Sequence, residues 1–398
     1  MSTLKVGALQ GISASSDAIT LANDGTCTAN ITNNLSNRNK VINGAMVINQ
    51  RSGTYNRPTG DEYTVDRFET RTGSSFNFDT LTTQDSSAPD GFSKSLKITP
   101  QTTQTPTASH NGMIGTLLEA DNLLGFASGT SSAKKFVLSF YAKSASQNNN
   151  HQYSVQLSKV NSGGQYYYQN RSFTVTSSWQ RFTVVFPADT TNNIATGSGE
   201  GLRILWHLAA GSNDIASAVT SWTADGGNYA VTGQSNFMDN TSNEFYLTGV
   251  QLEASDSDVA TDFEHLSFAD ELRRCQRYFY GHSGGNPTVN GSDSSTPNTV
   301  IGTCACQAST AISVSFVLPV PMRAVPTLYS TVTGSTRYRL NSYGANTNSG
   351  SNPVVYTAGS THTLVQVDLA GFSGLVAGDA GTVRRYLGSG VLGFQAEL

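Results

Sequence analysis

Apolar side chains recur at every second position in one segment after another, the spacing that places alternate residues on one face of a β-strand. Phe136, Leu138, Phe140 and Ala142 alternate with Ser139 and Lys143, and Tyr153, Val155 and Leu157 alternate with Ser154 and Gln156. Phe76 and Phe78, Phe173 and Val175, the set Phe182, Val184 and Phe186 after Trp179, and the set Leu202, Ile204, Trp206 and Leu208 keep the same period. All of these are predicted as half-buried antiparallel strands. The stretches between them, such as Ser144 to Asn150 and Thr190 to Glu200, carry turn chemistry and no helical period. Many short strands without interleaved helices predict an all-β fold, an antiparallel β-sandwich or jelly roll.

The segment from Asn243 to Tyr280 is expected to close that sandwich. Phe245 and Leu247 are predicted on one face of a strand, and Tyr246, Val250 and Leu252 on the other. Apolar residues on both faces predict an interior strand. Ser267 stands three residues before Asp270 in a capping-box pattern, and Phe268, Leu272, Cys275 and Phe279 follow at helical spacing. One short helix is therefore predicted near 267–279, packed on the strands. Its other face carries Arg273, Arg274 and Arg277, either a solvated surface or an anion or partner site.

Changes of texture divide the chain into four parts. Residues 1–39 are polar and nearly without aromatics, too poor in apolar side chains for a core of their own, and are expected to be an N-terminal arm, either a flexible lead or a segment ordered by a partner. The jelly roll is predicted over 40–281, a Gly/Ser/Asn/Pro-rich linker over 282–300, and a smaller C-terminal β-domain over 301–398. In that last part Ile312, Val314, Phe316 and Leu318 alternate, as do Val365, Val367 and Leu369, and Leu392, Phe394, Ala396 and Leu398. Pro319, Pro321 and Pro326 bar the stretch between from mid-sheet, so it is predicted as an edge or a crossover. No period of 20 to 50 residues recurs, which excludes solenoids and propellers.

Charged residues make up only 13% of the chain and the net charge is −4, so solubility rests on uncharged polar surface. That balance suits an extracellular β-protein, and with no basic face nucleic acid is not an expected partner. No apolar run is long enough to span a membrane, and no signal-peptide pattern opens the sequence; neither insertion nor general export is expected. Cys27, Cys275, Cys304 and Cys306 do not make a disulfide scaffold at this length, and Cys304 and Cys306, two apart with no histidine nearby, are read as buried free thiols rather than a metal site.

No hydrolase, metalloprotease, P-loop or dinucleotide motif is present; no catalytic residue and no cofactor are expected. Glu253, Asp256, Asp258 and Asp262 form the densest acidic cluster, either a solvated turn or a hard-cation site. Tyr166, Tyr167 and Tyr168 stand in a row after Gly163 and Gly164, so at least one ring must point outward. Such rings offer stacking faces to a sugar at small entropic cost, though an edge strand or a subunit contact uses them equally well. Trp222, near Gly226 and Gly227 on a long loop, is a second candidate for glycan contact. Asp66 beside Arg67 is most simply a structural ion pair.

The run FYLTGVQLE (245–253), then TDFEH (261–265), then SFADELRRCQRYF (267–279) is similar to the segment that ends the β-sandwich of many bacteriophage tail-fibre and virion structural proteins. The Asn-Gly-Ala-Met run at 43–46, the triplet Asp66, Arg67 and Phe68, and the Pro-Met-Arg run at 321–323 also resemble that family, as does the pairing of FVLSFYAKS (136–144) with SSWQRFTVVFP (177–187), which more distantly resembles carbohydrate-binding jelly rolls. The resemblance implies a tail fibre that mediates host-surface attachment. It further implies an arm, 1–39, that binds other virion proteins, a homotrimer, and a host glycan or protein receptor. Such a protein is assembled in the host cytoplasm and acts outside it as part of the virion tail. The alternatives are a head-decoration or tail-scaffold protein without a receptor, and a glycan depolymerase.

Overall fold

The alternating segments become strands because two apolar faces can bury each other only when pressed together as sheets. A computed structural model describes residues 6–12, 18–21, 23–24, 27–29, 36–51, 55–57, 62–282, 299–330, 338–342, 345–349, 354–355, 360–385 and 392–398. The protein is all-β, with the predicted sandwich at its centre. One sheet runs in the order Gln180–Phe186, Lys135–Ser144, Phe245–Ser255, Ser95–Pro100, Thr80–Asp85, Tyr55–Arg57. The facing sheet runs Thr223–Ala224, Tyr166–Thr174, Gln152–Val160, Glu200–Ala210, Asn111–Glu119, Glu69–Gly73, Glu62–Tyr63. Neighbours in both sheets are antiparallel.

Between the sheets lies one core holding every inward residue named above from the strands at 135–144, 152–160 and 200–210. Phe140 meets Trp206 edge-on across the gap, with ring centroids 5.6 Å apart. Each fully buried side chain of this kind contributes roughly 1.5–3 kcal/mol. Phe76 and Phe78 are core residues too, but in a turn and loop before Thr80–Asp85, not in a strand.

The strand at 245–255 is interior, flanked by 135–144 and 95–100. Its faces differ from the predicted ones: Phe245, Leu247, Val250 and Leu252 all enter the core. The cause is a bulge at Gly249, whose φ is +60°. Three steps on this strand, from Thr248 to Gln251, oppose two on its neighbour, from Tyr141 to Ser139, and the inward phase slips by one. Any side chain at 249 would collide with Tyr141 and Phe92.

The helix forms as Phe268–Gln276, with the Ser267 hydroxyl accepting from the Asp270 amide. It is shorter than predicted, because Phe279 already belongs to a strand, Phe279–Gly281. Phe268 is 42% exposed, so the buried end of the helix is at Cys275. The arginine face is not simply solvated: Arg277 forms a two-pronged pair with Glu119, and Arg274 donates to Asn37.

That short strand ties the sandwich to the C-terminal part of the chain, since 279–281 pairs with Leu392–Gln395, which pairs with Thr327–Ser330. A seven-stranded sheet runs in the order Ala345–Ser349, Tyr338–Ser342, Ala380–Arg385, Thr299–Ala308, Ala311–Val317, Leu364–Ala370, Val354–Val355. A second core joins Ile312, Val314, Phe316, Val365, Val367 and Leu369 to Leu392 and Phe394. Cys275, Cys304 and Cys306 are buried thiols, and the proline-rich stretch crosses between strands. Of the predicted linker, 283–298 lie outside the described residues, and 299–300 already belong to a strand. Within the predicted arm, Ala8–Leu9, Ile19–Leu21 and Cys27–Ala29 form a small sheet, and residues 37–39 are bound to the sandwich through Glu264.

Where the two cores meet, polar side chains are buried together. Asn43, at φ +59°, donates through Nδ2 to the carbonyls of Ile48 and Asp66, both at 2.8 Å. Asp66 and Arg67 are not paired with each other, because adjacent side chains leave the backbone in different directions. Asp66 accepts from the amide and side chain of Gln50 and lies 3.8 Å from Arg51. Arg67 pairs with Glu397 and donates to the Leu117 carbonyl at 2.5 Å. Arg51 donates to the other oxygen of Glu397 at 2.9 Å and stacks on Phe279, 3.7 Å from the ring centroid. Arg323 closes the clamp, donating to the carbonyls of Ala396 and Glu397 on one side and of Ser198 on the other.

Glu397 faces both arginines. Glu397→Ala is expected to cost about 3–5 kcal/mol, the usual penalty for leaving a buried charge unpaired. Urea unfolding checks this, and a midpoint equal to that of the parent chain contradicts it.

Candidate functional site

The alternation that sends Tyr153, Val155, Leu202, Ile204 and Trp206 inward sends their neighbours to the outer face of the seven-stranded sheet of the sandwich. Ser158 lies opposite Tyr168 on one side and Arg203 on the other, and His207 lies opposite Ser154 and Met113. These side chains form two rows across the same face of the sheet, four residues apart along the strands. Met113, Ser158, Arg203 and His207, with Arg71, Gly73 and Asn111 from neighbouring strands, and Asp225 and Tyr229 from the loop that folds over the edge, line a cleft of about 180 Å³.

The charged groups are held in place. Arg203 is gripped by both oxygens of Glu200, at 2.5 and 2.9 Å, and donates to the Tyr166 hydroxyl at 2.8 Å. Its guanidinium also sits over the Tyr166 ring, 4.5 Å from the centroid. Arg71 donates to Glu69 at 2.6 Å. Burial, then the Glu200 charge, pushes the Tyr166 phenol above its ordinary pKa, so it stays a neutral hydroxyl. The Tyr229 ring lies nearly parallel to His207 and edge-on to Tyr168. His207 is 1% exposed, its Nε2 is 2.7 Å from Gln156 Oε1, and burial lowers its pKa to about 3. The face thus combines fixed aromatic rings with donors and acceptors in a shallow depression, the composition that binds flat polar ligands.

Of the residues singled out in the sequence, Tyr166 and Tyr168 lie on this face, Tyr166 half-buried and Tyr168 with only 2% of its surface exposed. Tyr167 pairs opposite Lys159 and has the other parity. Trp222 is elsewhere: it packs edge-on against Phe136 at the sandwich rim, donates to the Pro187 carbonyl at 2.8 Å and lies under the Lys159 ammonium. The acidic cluster does not assemble as a cation site, because its members are drawn to different partners. Glu253 accepts from the Thr261 amide and hydroxyl, Asp256 pairs with Lys134 and Asp258 with Lys135, both at 2.7 Å. Asp262 contributes its backbone carbonyl to Arg38 and Gln251. Among the described residues no group of three or more His, Cys, Asp and Glu side chains is arranged to hold a metal.

Sequence reasoning missed Arg71, Asn111, Gln156, Arg203, His207 and Tyr229. Gln156, Arg203 and His207 carried a signal, as polar members of strands whose apolar members were already assigned inward. Tyr229 carried none, since a loop has no period. A larger cleft, about 670 Å³, lies at the junction of the two cores, but Arg51, Arg323 and Glu397 on its walls are already committed to the clamp.

No family model matches the chain. No curated protein matches it in sequence. Among solved structures it is similar to the family 11 carbohydrate-binding module of the cellulase Lic26A-Cel5E of Clostridium thermocellum, at 13% identity and a TM-score of 0.27, over 51% of this chain and 97% of that one. A putative sugar binding protein of Bacteroides thetaiotaomicron is similar at 11% identity and a TM-score of 0.32, over 55% and 100%. The enzymatically active domain of tailspike protein 4 of bacteriophage CBA120 is similar at 13% identity and a TM-score of 0.29, over 56% of this chain and 23% of that one. At these scores the likeness carries no argument about the site.

His207 makes stability depend on pH in a defined direction. An unfolded histidine takes up a proton near pH 6.5, and the folded one refuses it until about 3, so this stability is complete above about 6.5 and is lost as pH falls towards 3. The slope from this one group is at most about 1.4 kcal/mol per pH unit. His207→Phe should flatten the fall measured by urea unfolding between about pH 4 and pH 7. An unchanged slope contradicts the assignment.

Proposed function

We propose that the protein is a structural, adhesive component of a bacteriophage virion, a tail fibre that attaches to the host surface by binding glycan on the outer face of its seven-stranded sandwich sheet. The observation that carries this is the cleft, in which Tyr229 stands beside hydrogen-bonding groups fixed by their own partners, with the half-buried Tyr166 ring under Arg203 on the same face. Rings held in advance lose little entropy on contact, and fixed donors and acceptors give orientation. Low charge and abundant Gly, Ser, Thr and Asn fit a surface that works outside a cell. The closing segment at 245–279, the Asn43 turn and the Asp66–Phe68 triplet, which resemble phage tail proteins in sequence, support the virion reading, for these same segments meet at the buried clamp.

In this reading the protein recognises and does not cleave. Glu69 and Glu200 each hold an arginine, which suits positioning better than proton transfer. Residues 1–39 would attach to other virion proteins, and a trimer would multiply weak contacts through copy number. The chain would be assembled in the host cytoplasm and act after release.

The test is binding of purified protein to labelled host-surface polysaccharide, followed by sizing of the polysaccharide. Retardation without shortening is expected, with Tyr166→Ala weakening it about tenfold, as truncation of an aromatic anchor does. Failure to bind any surface polysaccharide favours a decoration or scaffold role, and shortened chains favour a depolymerase; either overturns the proposal.

A further inference from the structure

The cleft holds two buried acceptor atoms with no donor. Asn111 directs Nδ2 to Asp214 Oδ2 at 2.7 Å and to the Ser109 carbonyl, which leaves Oδ1 without a partner. His207 directs Nε2–H to Gln156 Oε1, so Nδ1 carries a lone pair, and it too has no partner. Both residues are buried, at 5% and 1% exposure, and both line the cleft. Gly73, between them and the rim, is bare for a reason: a side chain there would strike the Asn111 amide. Buried acceptors left unmatched are costly, and two of them on the walls of one cleft call for a donor there, a water or a ligand hydroxyl.

The charges point the same way. The two cationic groups of the cleft, Arg71 and Arg203, are engaged by Glu69 and Glu200, and Asp225 adds a third carboxylate. No surplus positive charge awaits an anion. An acidic sugar would bring its carboxylate beside three others, and that carboxylate only accepts and so gives His207 and Asn111 nothing, whereas a hydroxyl in its place donates. About 180 Å³ is less than the roughly 300–1,000 Å³ of sites that enclose drug-sized ligands, and suits a single ring of a longer chain.

We infer that the cleft selects neutral, hydroxyl-bearing sugar rings over acidic ones, with sugar hydroxyls donating to His207 Nδ1 and Asn111 Oδ1. The inference rests on the reading of this face as a glycan site, and its experiment separates the two. The intact chain is screened on an array of neutral hexose oligosaccharides and of uronic- and sialic-acid-bearing ones, and the best neutral binder is titrated beside analogues in which one hydroxyl at a time is replaced by fluorine, which cannot donate. Neutral glycans are expected to bind at least tenfold tighter than acidic ones. Fluorine at one or two ring positions should weaken binding about tenfold, and in His207→Phe, checked for an unchanged melting profile, one of those positions should lose its effect. Acidic glycans binding as tightly as neutral ones, or fluoro analogues binding as tightly as their parent, overturn the inference and leave the glycan site standing. Binding by neither class overturns the reading of the face as a glycan site, and the inference with it.

Discussion

The structure depends on a buried charge balance at the meeting of its two cores. Arg51 and Arg67 bring two positive charges out of water, and Glu397 and Asp66 bring two negative ones. Neither pair of signs is tolerable alone in a low-dielectric interior, so each acid and each base exists there only because the other does. Phe279 and Tyr278 stack on the two guanidinium planes at 3.7 Å, which screens the charges from solvent and fixes their orientation. Burial pushes the Asp66 carboxyl above its ordinary pKa, against the opposing pull of Arg51 and Gln50. A network of this kind stabilises little by itself, but it admits one geometry, and so specifies how the C-terminal strand returns to the sandwich.

That geometry reaches the candidate site through a single strand. Asn111–Glu119 carries Asn111 at the cleft and, ~27 Å away at strand rise, Glu119 beside Arg277 and Tyr278 at the junction. Burial raises the Glu119 pKa, but the hydrogen bonds from Arg277 and Tyr278 outweigh it and hold the carboxyl below the ordinary range. The strand is therefore pinned at one end by charge and along its length by the core. A face built on such strands presents rings and acceptors already in position, which a recognition surface of small area needs more than it needs flexibility.

The sandwich was legible because its strands obey a local rule. Period-two apolar residues marked the inward positions of the strands at 135–144, 152–160 and 200–210, and Ser267 marked the start of the α-helix at 268–276. What was not legible involved partners far apart in the chain. Nothing local in Arg67 says that its counterion is Glu397, and the neighbouring Asp66 invited the wrong pairing. Gly249 could be read as a weak strand residue, yet only its contacts with Tyr141 and Phe92 show that it shifts the register and reverses the faces beyond it. The acidic residues at 253–262 looked like one cluster because spacing in sequence ignores the lysines at 134 and 135 on a neighbouring strand. On the face beside the cleft, Tyr166 and Tyr168 were visible as rings in a row, while Asn111, His207 and Tyr229, which line it, come together only through sheet order and a loop.

If the buried clamp unites the two cores as described, they should melt together. Scanning calorimetry of the intact chain tests this most directly. The account predicts a single transition whose calorimetric and van't Hoff enthalpies agree. Two resolved transitions, one for each core, would show that the clamp joins units already stable apart, and would contradict it.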